Sequence, residues 1–312
     1  MLNRKEFLKY TALAAGSFFL PIANANASLG TRKQRLVILH TNDTHSRLDP
    51  FPMDGGRNQG MGGVAARAQL IREIREKEEH VLLLDAGDIF QGTPYFNLYR
   101  GEPEMKAMEW MKYDACTMGN HDFDGGLSLF ADQLQHVRFP VLVCNYDFSG
   151  TPMEGKTKAY QVFRKGGVKI GITGVGIQLE GLVPENLYGK TRFLDPVSEL
   201  NKTAAILKRE IGCDLVICLS HLGYEYKNDP DKISDMRLAS LTEDVDIIIG
   251  GHTHTFLPEP VKISNKVGRE VLINQVGWAG VMLGRIDLDF DPGKGYAMIS
   301  SKPVLIGKKT SE

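Results

Sequence analysis

The sequence is poor in the features that mark charged, membrane-spanning or disulfide-built proteins. Lysine and arginine number 37 against 38 acidic residues, so neither sign is in excess to hold duplex nucleic acid or an anionic membrane by bulk attraction. Beyond the N-terminal segment no apolar run approaches the roughly 18 residues of a membrane span. The four cysteines (Cys116, Cys144, Cys213 and Cys218) contain no Cys-x-x-Cys pair, and three lie inside apolar runs. They read as free thiols packed as small hydrophobes, not as a disulfide or zinc-thiolate framework. No Gly-x-Ser-x-Gly is present, which removes a serine-esterase elbow. Gly150 to Thr157 fits the spacing of a phosphate-binding loop, but no strand leads into it and a hairpin pattern follows, so it reads as a surface turn. Charged residues at 24% and hydrophobic residues at 42% fit a folded globular chain, and 312 residues can bury a sizeable core.

Residues 1–27 read as an export signal. Arg4, Lys5 and Lys9 make a basic start, Thr11 to Ile22 an apolar stretch, and Ala25-Asn26-Ala27 a small-residue cleavage site. The run Asn3 to Lys9 resembles a twin-arginine signal with Lys5 where the second arginine usually stands; the general secretory route is the alternative. The expectation is an exported protein of the bacterial periplasm, with residues 28–312 forming one domain.

Five short runs rich in valine, isoleucine and leucine have the pattern of strands buried on both faces: Leu36–Leu39, Val81–Leu84, Asp114–Met118, Leu215–Leu219 and Val245–Ile249. Helical spacing lies between them. Val64, Ala68, Ile71 and Ile74 form one stripe, and Leu200, Ala204, Leu207 and Ile211 another, the latter opened by Asp195-Pro196 and stopped by Gly212. Tyr160–Arg164, Gly166-Gly167 and Val168–Thr173 predict a hairpin, and the C-terminal stretch reads as strands without intervening helices. The fold class expected is α/β with mixed sheets.

Each apolar run ends in polar chemistry. His40-Thr41-Asn42-Asp43-Thr44-His45 follows the first, Asp85-Ala86-Gly87-Asp88 the second, and Gly119-Asn120-His121-Asp122-Phe123-Asp124 the third. Ser220-His221 and Gly250-Gly251-His252-Thr253-His254 follow the last two. Strand ends of α/β sheets converge on one crevice. One such histidine would be unremarkable; five runs ending this way point to a site. Carboxylate, imidazole and carboxamide donors without thiolate suit borderline divalent ions (Zn, Mn, Co or Fe). The donors Asp43, His45, Asp88, Asn120, His221, His252 and His254 are too many for one tetrahedral ion and suit two ions sharing a carboxylate. His40 reads as an end-of-strand structural residue, His80 and His136 as helix-surface residues, and Trp110 and Trp278 as core or rim packing.

In this order the motifs resemble the calcineurin-like metallophosphoesterases, and more narrowly the catalytic domain of their 5′-nucleotidase branch, over about residues 35 to 290. The resemblance implies a four-layer α/β/β/α sandwich with a dimetal site at the sheet edges, and makes residues 28–312 the catalytic domain. It implies that Asp43, His45, Asp88 and His254 hold one ion and Asp88, Asn120, His221 and His252 the other, with Asp88 as the bridge. His121 and Asp124 match a dyad that faces the substrate and stabilises charge on the phosphoryl group, Asp124 orienting the ring and favouring its protonated form. The implied reaction is attack of an acidified water on a phosphoester, foremost a nucleoside 5′-monophosphate. Alternatives within the resemblance are a 2′,3′-cyclic nucleotide phosphodiesterase and a thiosulfate-ester hydrolase; outside it stands a non-catalytic periplasmic metal- or nucleotide-binding protein. Two-domain nucleotidases carry a C-terminal substrate-binding domain, so a separately encoded one acting in trans is a further expectation.

Overall fold

The computed structural model describes residues 34–291 and 295–307; the expected export signal lies outside them. In chain order the strands are β1 Gln34–Thr41, β2 Val81–Asp85, β3 Ala115–Cys116, β4 Tyr146–Asp147, β5 Tyr160–Lys165, β6 Val168–Val175 and β7 Arg192–Phe193. They continue as β8 Leu215–Ser220, β9 Ile247–Gly250, β10 Val261–Ser264, β11 Glu270–Asn274, β12 Met282–Asp291, β13 Gly295–Ser301 and β14 Val304–Leu305. The helices longer than a single turn are α1 Val64–Lys77, α2 Pro94–Tyr99, α3 Glu102–Trp110, α4 Leu127–Gln133, α5 Pro196–Ala205 and α6 Asp235–Leu241.

Two six-stranded sheets result, one ordered β13-β12-β1-β2-β3 with β14 beside β12, the other β10-β11-β9-β8-β6-β5. Both are mixed: β1 runs parallel to β2 and antiparallel to β12, while β6, β8 and β9 run parallel and the edges antiparallel. Strand alternation assigns the layers. Leu36, Ile38, Leu82 and Leu84 from the first sheet meet Ile170, Ile172, Leu215, Ile217, Leu219 and Ile247 from the second in a common inner core. Val37, Leu39 and Leu83 point the other way, onto Ala68, Ile71 and Ile74 of α1 and Met105 and Met108 of α3. Val216, Cys218 and Ile248 point outward from the second sheet onto Leu200, Ala204, Leu207, Leu238 and Ala239. The order is helix, sheet, sheet, helix, the four-layer sandwich expected.

Local signals hold where the chemistry is local. The Asp195 side chain accepts from Ser198 N at 2.7 Å to cap α5. The helix continues through a wider turn to Glu210, and Gly212 ends it at φ 72°. Gly166 and Gly167, at φ 56° and 80°, turn the β5–β6 hairpin. Residues 150–157 form turns with no helix starting among them, and the four cysteines are free, three of them buried.

Three expectations change. The strand expected over Asp114–Met118 is only Ala115–Cys116, because it is the sheet edge and beyond β2 meets a single bridge from Cys116 to Val141. Trp110 is 70% exposed: α3 buries Glu104, Met105 and Met108, and a residue two places past Met108 falls on the opposite side. His80 lies in the turn between α1 and β2, not on a helix.

Candidate metal centre

Register brings the strand ends together. Thr41 pairs with Asp85 across β1 and β2, Asp85 with Cys116, and Ser220 with Gly250 across β8 and β9. The polar segments therefore leave both sheets at one level. The first two loops are joined by backbone: Asp43 N donates to Gly87 O at 2.9 Å, His45 N to Asp88 O at 3.1 Å and Ser46 N to Ile89 O at 2.9 Å.

Turning back so sharply demands unusual backbone. Asp43, His45, Asp88, His252 and His254 all have φ between 48° and 71°, a region that non-glycine residues rarely occupy and that clusters at functional sites. The glycines beside them allow close approach. A Cβ on Gly119 would lie 2.1 Å from Asp88 Oδ1, and one on Gly251 2.8 Å from His221 Nδ1.

The donors fall into two groups that could each hold an ion: Asp43, His45 and His254, and Asp88, His221 and His252. In the first, His45 Nε2 and His254 Nε2 are 3.0 Å apart, and Asp43 Oδ1 lies 3.4 Å from His254 Nε2. In the second, Asp88 Oδ2 lies 3.0 Å from His221 Nε2, and Asn120 Oδ1 2.8 Å from His252 Nδ1. Asp88 Oδ2 is also 3.9 Å from His45 Nε2, so one oxygen reaches toward both groups.

This donor set fits divalent cations. His221 Nδ1–H donates to Ala86 O at 2.7 Å, which leaves Nε2 directed into the crevice. That buried Nε2 has no hydrogen-bond partner: its 3.0 Å approach to Asp88 lacks the alignment of a hydrogen bond. A buried nitrogen and a carboxylate oxygen converging at this distance suit two ligands on one ion, which would displace the proton that Nε2 holds without it. Burial opposes a charge on His221, and the Asp88 and Asp43 carboxylates override it, lifting the imidazole to about 10. Burial lowers His45, and lowers His252 to about 3, so both present neutral rings.

Beside the donors, His121 Nδ1 is 2.8 Å from Asp124 Oδ2, and His121 N donates to Asp88 Oδ1 at 2.8 Å. The Asp124 hydrogen bond, with Asp88 adding to it against burial, raises the His121 pKa. All nine residues singled out from the sequence meet within this crevice.

The sequence reading missed the residues that hold the loops. Asp122 is buried and accepts from Asp88 N, Ile89 N, Phe90 N and Gly119 N at 2.8–3.2 Å. Asn42 donates to Asp43 Oδ2 and Gly277 O, each at 2.6 Å, and accepts from Val276 N at 3.0 Å. Trp278 stacks on His254, with centroids 5.8 Å apart and planes at 12°. Asp122 and Asn42 stand within the motifs; Trp278 carried no signal of its partner.

The model of the calcineurin-like phosphoesterase family matches residues 36–256. The chain belongs to that family. Calcineurin-like phosphoesterases use a dimetal centre, and two groups of donors able to hold ions are present here. A snake venom 5′-nucleotidase of Crotalus adamanteus is 36% identical over 308 residues, covering 92% of this chain and 51% of its own length. The crystal structure of a 5′-nucleotidase precursor from Thermus thermophilus is 32% identical with a TM-score of 0.78, covering 88% of this chain and 55% of that one. A calcineurin-like phosphoesterase from Bacillus subtilis, YfkN, is 27% identical with a TM-score of 0.71, covering 88% and 91%. The chain spans about half the length of the first two.

Proposed function

We propose that the chain is a dimetal phosphoester hydrolase that releases phosphate from nucleoside 5′-monophosphates or related nucleotides. The observation that carries this is the pair of donor groups, with Asp88 Oδ2 3.0 Å from His221 and 3.9 Å from His45 between them and His121–Asp124 beside them. Asp43, His45, Asp88 and His254 hold one ion in this reading, and Asp88, Asn120, His221 and His252 the other. Two divalent cations bound there would supply an acidified water and neutralise phosphoryl charge. The protein's own groups do the rest. Asp124 fixes the His121 ring through Nδ1, which leaves Nε2 to face the phosphoryl oxygens as charge develops on them. Ala86 O and Phe90 O face the Nδ1 atoms of His221 and His45 and keep their Nε2 atoms directed inward. The nucleotide substrate is supported by the 5′-nucleotidases among the relatives.

Metal analysis combined with phosphate release from nucleoside monophosphates, cyclic nucleotides and simple phosphoesters tests the reading. Two metals per chain and nucleotide hydrolysis are expected, both lost in Asp88→Asn. Fewer than two metals under replete conditions would count against the assignment. His121→Ala keeps its metals and loses turnover; a normal kcat removes His121 from the mechanism.

Export to the periplasm by the twin-arginine or general secretory route belongs to the same proposal, supported by the N-terminal signal pattern. Among the described residues no helix is long and apolar enough to cross a membrane. A C-terminal nucleotidase domain acting in trans is the partner proposed; co-purification from the native source tests it.

A further inference from the structure

The hollow of the metal centre continues, past Arg47, into a groove that the phosphoryl chemistry leaves unused. The space bordered by His45, His121, His254 and Trp278 measures about 220 Å³. A neighbouring groove of about 410 Å³, within the usual range for small-molecule sites, is walled by Thr93, Tyr95, Leu98 and Tyr99. Arg47 lines both.

The groove wall is aromatic and open. Tyr95 and Tyr99, one turn apart on α2, stack with centroids 6.2 Å apart and planes at 28°. Tyr99 is 54% exposed and Leu98 71%. The wall is also braced. Tyr95 OH donates to Asp49 Oδ2 at 2.7 Å, and Thr93 Oγ1 donates to Ser46 O at 2.8 Å. Ser46 follows His45, so the groove and the metal cradle share one backbone turn. The Arg47 guanidinium rests over the Phe51 ring at 4.2 Å, and its Nε is buried without a partner. Among the described residues Arg47 pairs with no carboxylate, which leaves its charge facing the two spaces it joins. Trp278, the other aromatic at the crevice, is already stacked on His254 and in T-shaped contact with Phe51.

We propose that this groove seats the leaving group of the phosphoester, a flat aromatic one such as a nucleoside, with its ring on Tyr99 and Arg47 at the junction. The proposal deepens the nucleotide reading above and rests on it. An aromatic face accepts any base, because every base has a π-face, and the contact needs no matched hydrogen bonds.

Calorimetric titration of the metal-loaded protein with two unreactive probes tests the seat. One is a nucleoside phosphonate with methylene in place of the ester oxygen; the other is inorganic phosphate. Tyr99→Ser is expected to weaken the phosphonate about tenfold and phosphate less than about twofold, and Arg47→Gln to weaken the phosphonate as well. If Tyr99→Ser changes neither affinity, or both equally, the seat is overturned while the nucleotide reading stands. A wild-type protein that binds the phosphonate no more tightly than phosphate also overturns the seat. A chain that binds neither probe with its metals in place overturns the seat, and phosphate release from nucleoside monophosphates decides the nucleotide reading separately.

Discussion

His40 gives the sharpest stability test, because it lies on β1 away from the donors and its burial is complete. The ring packs on Gly284, where a Cβ would stand 2.1 Å from Nε2. Asn274 Nδ2 faces Nε2 at 3.2 Å, and Asn274 Oδ1 is occupied by Gln275 N at 3.0 Å, so the amide presents a donor to the ring. A proton on Nε2 would meet that donor, and Nδ1 has no partner at all. Burial accordingly lowers His40 from 6.5 to about 3. The folded pKa lies below the unfolded one, so below pH 6.5 the unfolded chain binds a proton that the folded chain refuses. Stability then falls as pH falls, until the folded pKa is reached. Between pH 7 and pH 5 the loss from this one group is about 2 kcal/mol. Urea unfolding of chelator-treated protein at the two pH values, wild type against His40→Phe, measures it. Buried Asp85 and Asp235, raised to about 7 and about 8, act in the opposite direction and do so in both proteins. The difference between the two pH responses should be about 2 kcal/mol, whatever the absolute stability of the variant. Equal responses would refute the reasoning.

Other perturbations probe the site. Asp122→Ala strands four backbone N–H groups and should cost about 3 kcal/mol or more, read from the urea midpoint; a loss under about 1 kcal/mol would show that water replaces the carboxylate. Gly119→Ala forces a methyl against Asp88 and should lower the metal content per chain, measured by elemental analysis, more than it lowers the melting temperature of the metal-free protein. Adding divalent metal to chelator-treated protein should raise Tm with concentration, because the converging donors exist only in the fold; a Tm indifferent to Zn, Mn, Co and Fe would count against both ion sites.

The strand ends were legible because burial and chemistry abut in the chain: each apolar run passes into its polar segment within a few residues. Hairpin and helix signals were legible for the same reason, as with Asp195 and Gly166-Gly167. The support was not. Asp122 gathers N–H groups from its own loop and from one more than thirty residues earlier, and no local pattern distinguishes it from a solvated aspartate. Arg67 sits in the α1 stripe as if solvated, yet it is buried with its guanidinium against Gly280. Trp110 looked like packing because hydrophobicity alone does not give the phase of α3.

The donors divide between the sheets: Asp43, His45, Asp88 and Asn120 leave the first, His221, His252 and His254 the second. The 3.0 Å between Asp88 and His221 therefore depends on how the two sheets pack on their common core. The leucines and isoleucines between them act as a spacer that gauges the bite of the centre. A methylene removed deep in that spacer, at Ile217 or Ile247, should alter ligand geometry without touching a ligand. Metal affinity would then report on the interior that spaces the two sheets.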